Sequence, residues 1–410
     1  MKYFLIILCL LHCTTNVFSK AIHVGKNQLY KSINAAISSA DAGDTVLVDA
    51  GLYLEKSISI NKKIVLKGIN YPVLDGEKKY EIISIKADGV IIEGFKIIHS
   101  GVSSIVDIAG IKIYNRRDVI IQNNILDDTF FGIYVQNGKN CFIKNNKIAA
   151  HNSEEQQSGN GIHCWKSDSL QIIGNTISGH RDGIYFEFVT HSVIWRNNSF
   201  KNIRYGLHFM FSSDDAYITN SFENNGSGVS VMYSHGVKMF NNYFKENWGD
   251  AAYGILLKEI SDSYIEGNFF EKNTSGIYME GARRIHMQKN TFKDNGWGMK
   301  IQASCMDIVV EKNNFIGNTF DVGTNGSLVL NTFNNNYWDK YDGYDLNKDQ
   351  IGDIPYRPVS MFSMIVEKNP PAMMLFRSFM TSLLDKTEKV IPSLTPENLK
   401  DNFPIMKRLF

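Results

Sequence analysis

From residue 57 to 353 the apolar residues come in short alternating runs, such as Gly183-Ile184-Tyr185-Phe186 and Ser192-Val193-Ile194-Trp195, broken by Asn, Gly and Asp. Alternation over a few residues predicts strands, and the breaks predict turns. No stretch of this region carries a 3.6-residue period of helix length. The runs themselves repeat. Aligned on Asn-x-(Ile/Phe), the marks are Asn123, Asn146, Asn175, Asn198, Asn220, Asn242, Asn268, Asn290 and Asn313, spaced 22 to 29 residues apart. A glycine before an apolar residue recurs with them, at Gly132, Gly161, Gly183, Gly206, Gly228, Gly254, Gly276 and Gly298. The two series share their insertions, which chance matches would not do. A fixed period in this range signals a solenoid. With two or three short strands per unit and no helix, the chain is expected to be all-β, a right-handed parallel β-helix. Turn asparagines tolerate left-handed backbone and bond to one another in ladders along such a stack. Nine marked coils rise roughly 43 Å at the ~4.8 Å strand spacing.

An open stack needs covers at both ends. Residues 20–56 read as an N-terminal cap and first coil, with an amphipathic helix over Leu29–Ala40. Residues 57–353 are the β-helix. The composition then breaks: Pro72 is the single proline of the first 354 residues, against seven in the last 56. Proline deletes a ladder donor, which keeps it out of the stack. Residues 354–410 are therefore a separate helical and extended tail. Its helix, begun by Pro370-Pro371, aligns Met373, Phe376, Met380 and Leu383 on one apolar face, which is expected to cover the last coil or dock on a partner. After Lys389 the tail is expected to be extended and poorly packed.

Charge and cysteine usage narrow the setting. Lys plus Arg is 43 and Asp plus Glu is 42. A nucleic-acid binder relying on phosphate contacts carries a basic surplus, so none is expected here. Residues 1–19 have Lys2, an apolar run from Tyr3 to Leu11, and Val17-Phe18-Ser19 at a cleavage position, which reads as a cleaved export signal. Cys13 suggests a lipoprotein, but His12 before it fits a lipobox poorly. Cleavage leaves Cys141, Cys164 and Cys305, an odd and sparse set that argues against a disulfide framework.

Candidate chemistry lies in the outward columns. Counting from the repeat glycine, positions +1 and +3 are apolar and face inward: Leu207 and Phe209, Val229 and Val231, Ile255 and Leu257, Ile277 and Met279. Positions +2 and +4 then face solvent. Most are polar, but +4 holds Met210 and Met232, 22 residues apart and so one coil above the other. His208 lies on the same face, ~7 Å along the strand from Met210, and His235 follows Met232 at a turn. Thioethers select Cu(I), and imidazole suits copper as well. The group His208, Met210, Met232 and His235 is thus a candidate Cu(I) site. The same methionines also read as a small apolar contact patch. Met239, Met287 and Met299 fall on inward positions as core filler, and Cys164 as a buried thiol. His99, His151, His180, His191 and His286 share no metal spacing and read as surface or turn residues. No catalytic group stands out.

A second motif closes the repeats. Asp345, Asn347, Asp349 and Asp353 have the offsets of the first ligands of an EF-hand-like calcium loop. Gln350 stands where such a loop has Gly, and no Glu closes it. A hydrogen-bonded turn sealing the last coil is the competing reading.

Several of these segments, in order, resemble the NosD family: Arg204-Tyr205-Gly206-Leu207-His208-Phe209-Met210, Val231-Met232-Tyr233-Ser234, Gly254-Ile255-Leu256-Leu257-Lys258-Glu259, Asn336-Tyr337-Trp338-Asp339 and the Tyr341–Pro355 run. That resemblance implies a periplasmic β-helix protein of nitrous oxide reductase maturation. It implies partners too: an ABC transporter permease and its cytoplasmic ATPase, a membrane-anchored copper chaperone, and the reductase itself. Cu(I) would be received and passed on, and membrane association would be peripheral, through the permease. Two other classes stay open. An exported polysaccharide lyase or epimerase would need carboxylates and a basic group on one groove, for which Glu187, Lys258, Glu259 and Glu280 are the outward candidates. A metal-free docking scaffold needs neither.

Overall fold

A computed structural model describes residues 19–103, 105–151, 154–326, 330–391 and 399–409. The expected export signal at 1–19 lies outside the described residues apart from Ser19. The described chain is a right-handed parallel β-solenoid of about 14 turns. Three parallel sheets of 14, 12 and 13 strands form its walls, and each coil contributes one strand to each wall. One coil runs through Tyr205–Met210 in the 12-stranded sheet, Ala216–Ile218 in the 14-stranded sheet and Ser221–Glu223 in the 13-stranded sheet. The next begins with Ser227–Met232.

The inward residues stack in columns, as period-2 alternation requires. Phe222, Phe244, Phe270, Phe292, Phe315 and Trp338 form one continuous pile, with ring centroids 4.1 to 5.4 Å apart. The expected inward residues Leu207, Phe209, Val229, Val231, Ile255, Leu257, Ile277 and Met279 are all buried, as are Met239, Met287 and Met299. The repeat glycines are forced by close approach. A Cβ on Gly228 would meet the Gly254 carbonyl oxygen at 2.5 Å.

Asparagine ladders do form, in a register that corrects two of the sequence marks. The ladder runs through Asn124, Asn146, Asn175, Asn197, Asn220, Asn242, Asn268, Asn290, Asn313 and Asn336. Each Nδ2 donates to the next Oδ1 at 2.9 to 3.1 Å. Asn123 and Asn198, the neighbours in two Asn-Asn pairs, are not members. A second ladder, through Asn202, Asn225, Asn247, Asn273, Asn295 and Asn318, carried no mark in the sequence pattern.

Both ends are covered. Helix α1 (Ile33–Ser39), N-capped by Ser32, buries Ile33, Ala36 and Ile37 over the first coil. At the other end Asp401 terminates the main ladder. Its carboxylate accepts from Asn335 N, Asn336 N, Asn336 Nδ2 and Trp338 Nε1 at 2.9 to 3.1 Å. The expectation of a poorly packed tail beyond Lys389 is therefore wrong for residues 399–409. Leu399 is buried, and Asp401 and Ile405 bridge in parallel to Phe333 and Tyr337. The physical reason is that the last coil leaves unpaired ladder donors, and a buried unpaired group is costly. Before this strand, helices α2 (Met361–Lys368) and α3 (Phe379–Val390) flank a 3₁₀ segment at Pro370–Leu375. Phe362 and Val366 pack with Phe320, and Glu367 pairs with Lys300 at 2.5 Å, so α2 lies on the outer face of the 12-stranded sheet. Met374 and Phe379 stay exposed.

Candidate metal-handling face

The 12-stranded sheet positions the candidate ligands. Strands Tyr205–Met210 and Ser227–Met232 pair in parallel with Met210 opposite Met232. Below this pair in the same column is Glu187 and above it Lys258. Both methionines are half-buried. The 22-residue spacing thus places the two thioethers as expected, on adjacent strands of one outer wall.

The residues after Glu187 and the two methionines add a feature the sequence reading missed. Phe188, Phe211 and Tyr233 stack at 5.2 and 5.0 Å with nearly parallel rings, and are 45%, 45% and 43% exposed. All three adopt left-handed backbone, with φ of 53°, 51° and 53°. Bulky residues rarely take that conformation; other coils use Lys166, Glu259 and Gly281 there. Mutual stacking offsets part of the strain. The result is an exposed apolar patch of three rings beside two thioethers.

His208 departs from expectation. Its +2 position does put it on the outer face, but the side chain is buried, at 4% exposure, as is Ser230 in the next coil. The cause is the side chains around it on its own and the preceding coil. Tyr185 and Tyr205 flank the imidazole at centroid distances of 5.0 and 4.8 Å. Asp182, one coil earlier and fully buried, places Oδ2 3.5 Å from His208 Nδ1. Arg204 grips the same carboxylate with two bonds, Nε to Oδ1 at 2.9 Å and Nη2 to Oδ2 at 2.6 Å. Burial works against the charge on Asp182, but its bonds to His208 and Arg204 hold the carboxyl below the ordinary carboxylate range. His208 Nε2 is buried and has no partner. A buried polar atom left unpaired costs ~1–3 kcal/mol, and native structures keep few of them. His208 and Met210 lie two residues apart on one strand, and Met210 is in register with Met232 on the next. Asp182 and Arg204 were missed in the sequence because 26 and 4 residues separate them from His208. The legible signal was their shared register: Asp182 pairs with Tyr205, the neighbour of Arg204.

The remaining candidates have other partners. His235 stands exposed at the corner after Met232, with Nδ1 3.9 Å from Asp214. In the Asp-rich turn, side-chain oxygens accept backbone N–H groups. Asp345 takes those of Asp349 and Gln350, Asn347 that of Asp349, Asp349 that of Ile351, and Asp353 that of Leu346. Gly352 N donates to Pro404 O, tying the turn to the C-terminal strand. These bonds match the sealing-turn reading. Among the described residues, no three of His, Cys, Asp and Glu converge as a metal cluster. Glu187 is separated from Lys258 by the two methionine rungs, whereas Lys258 and Glu280 are register partners on adjacent strands. His180, expected at the surface or in a turn, lies in the bend between two strands but is fully buried, and burial lowers its pKa to about 4. Cys141, Cys164 and Cys305 are buried free thiols; burial pushes Cys141 up to about 11.

Comparison with known proteins gives a partial likeness. The sequence model of a family described as "Periplasmic copper-binding protein (NosD)" matches residues 150–343, a stretch that includes the methionine pair. A protein of Stutzerimonas stutzeri named "Probable ABC transporter binding protein NosD" is 27% identical over 113 residues, covering 27% of this chain and 26% of that protein. The protein of the same name from Pseudomonas aeruginosa is 26% identical over 113 residues. The aligned stretch is thus about a quarter of the length of these curated relatives. Among solved structures, the A-module of the Azotobacter vinelandii mannuronan C-5 epimerase AlgE6 superposes with a TM-score of 0.51 at 16% identity, over 74% of this chain and 88% of that one. The Dettilon tailspike protein gives 0.53 at 13% identity, over 69% and 63%. At such identities these two share the fold alone.

Proposed function

We propose that this chain is a periplasmic, non-enzymatic member of the NosD family that receives and passes on Cu(I) during assembly of the copper sites of nitrous oxide reductase. The transfer group is Met210 and Met232 with His208. One observation carries the reading: two thioethers in register on an outer wall, in the coils that also hold a buried imidazole nitrogen without a partner. A transfer site must release its cargo, and half-buried thioethers bind softly and shallowly. The family description and the relatives' names favour the same setting. In it the chain works with an ABC transporter permease, its cytoplasmic ATPase and a membrane-anchored copper chaperone. Exposed Met374 and Phe379 on the tail suit peripheral docking at the permease.

The test is titration of the purified protein with Cu(I) against a competing chelator, repeated with Met210→Ala and Met232→Ala combined. The double variant should lose most of the affinity. An unchanged affinity rejects the site.

A further inference from the structure

The buried carboxylate beside His208 is unusual for an outer wall. Asp182 has no exposure, and its carboxylate oxygens face Arg204, the Tyr205 backbone N–H at 3.3 Å and His208 Nδ1 at 3.5 Å. Two coils of the sheet meet at this point, so a purely structural ion pair would need only Asp182 and Arg204. Of the His208 ring nitrogens, one faces a carboxylate and the other, Nε2, faces no partner.

Resting on the Cu(I) reading above, we infer that Asp182 and Arg204 are positioning residues for the metal. Asp182 accepts the His208 Nδ1 proton, Arg204 fixes the carboxylate, and the Nε2 lone pair is left as the nitrogen ligand that joins the two thioethers. A metal-binding histidine characteristically donates its other N–H to a carboxylate, which sets the tautomer and raises the basicity of the ligand nitrogen. Carboxylate oxygens are strong acceptors, so Oδ2 draws the Nδ1 proton. The alternative places the proton on Nε2, with Nδ1 accepting from Arg204 Nη2 at 3.5 Å. That choice would bury an N–H without an acceptor. Tyr185 and Tyr205 restrict the ring through edge-on and tilted contacts at 5.0 and 4.8 Å. The cargo that fits one imidazole and two thioethers is a monovalent soft cation, Cu(I) before any hard divalent ion.

The experiment uses the mature full chain, with chelator-buffered Cu(I) as probe. Nitrogen-15 shifts of the His208 ring, assigned with His208→Gln, read the tautomer in the copper-free protein. Chelator competition reads affinity, and X-ray absorption reads whether a nitrogen accompanies sulfur around Cu(I). The expected results are a proton on Nδ1 in the parent and a 10- to 100-fold weaker Cu(I) affinity in Asp182→Asn. In that variant nitrogen scattering falls and sulfur is retained. Asp182→Asn in the His208→Gln background should add no further loss, which a general structural role would. Because Asp182→Asn leaves Arg204 unpaired and risks misfolding, Arg204→Lys is the second variant. It keeps the charge, loses the two-point grip, and should give a smaller loss in the same direction. A proton found on Nε2, or parent-like affinity in both variants while Met210→Ala/Met232→Ala binds weakly, overturns the positioning role and leaves the thioether site standing. Parent-like affinity in the double methionine variant overturns both.

Discussion

Replacing Asp215 by serine should stabilise the protein, increasingly so as pH rises. Asp215 sits in an inward turn column where Ser192 and Ser263 occupy equivalent rungs. Ser192 Oγ accepts from Leu170 N, Asp215 Oδ1 from Ser192 N, and Ser263 Oγ from Val237 N. The serines also donate back to the carbonyl two residues earlier, at Thr190 and Ser261. Asp215 has no such return bond, and its Oδ2 is buried without a partner. Burial is the main cause that raises its pKa from 3.8 to about 8, with the Ser192 N–H opposing it. The sign follows from linkage. Below pH 3.8 the group is protonated in both states and costs nothing. Between 3.8 and 8 the unfolded chain releases the proton while the folded chain keeps it, so stability falls as pH rises. At about 1.36 kcal/mol per unit, the loss reaches about 4 kcal/mol by pH 7 as an upper bound. Serine removes the titration and restores the return bond, at the expense of about 1 kcal/mol of lost contacts. The net gain is expected to be near zero at pH 4 and to grow to at most about 4 kcal/mol by pH 7. Urea unfolding of parent and Asp215→Ser from pH 4 to 8.5 measures it. A difference that stays constant with pH, or a less stable variant at pH 8, refutes the reasoning.

Further outcomes are expected at other positions. Asp401→Ala should cost about 3 kcal/mol or more, because it strands the donors of Asn335, Asn336 and Trp338; hydrogen exchange should quicken first in the last coils. Gly228→Ala should cost a similar amount, since its Cβ would press on the Gly254 carbonyl oxygen, with denaturant melting as the check. His163 and His180 are held neutral by burial, with pKa values lowered to about 3 and about 4. The unfolded chain takes up these protons below about pH 6.5, so stability should fall as pH drops from there towards 4; His180→Asn should flatten that acid limb. Phe211→Asn should leave stability within about 1 kcal/mol, trading two ring stacks for a residue at ease in left-handed backbone.

The candidate site was half legible in the sequence. Strict alternation within a strand fixes which face a side chain takes, so Met210 and Met232 were placed on one wall, and Leu207, Phe209 and Met239 inside, from spacing alone. The Asn-Asn pairs show the limit. Asn124 and Asn197 enter the ladder while Asn123 and Asn198 do not, because a pattern cannot tell which of two adjacent amides the corner turns inward. His208 shows a further one. Its face was foreseen, but its burial depends on Tyr185, Tyr205, Asp182 and Arg204 packing around it.

Taken by itself, the order of residues determined the solenoid, its coil length, its inward columns and the pairing of the two thioethers. These follow from short-range periodicity, since identical coils stacked in parallel bring residues about 22 apart into contact. Tertiary structure alone decided what lies over the outer wall and what closes the stack. Asp401 reaches the ladder from 65 residues beyond Asn336, and Asp182 meets His208 from the preceding coil. Such contacts satisfy buried polar groups that the repeat leaves open, and the partner that satisfies them is set by where the chain returns in space.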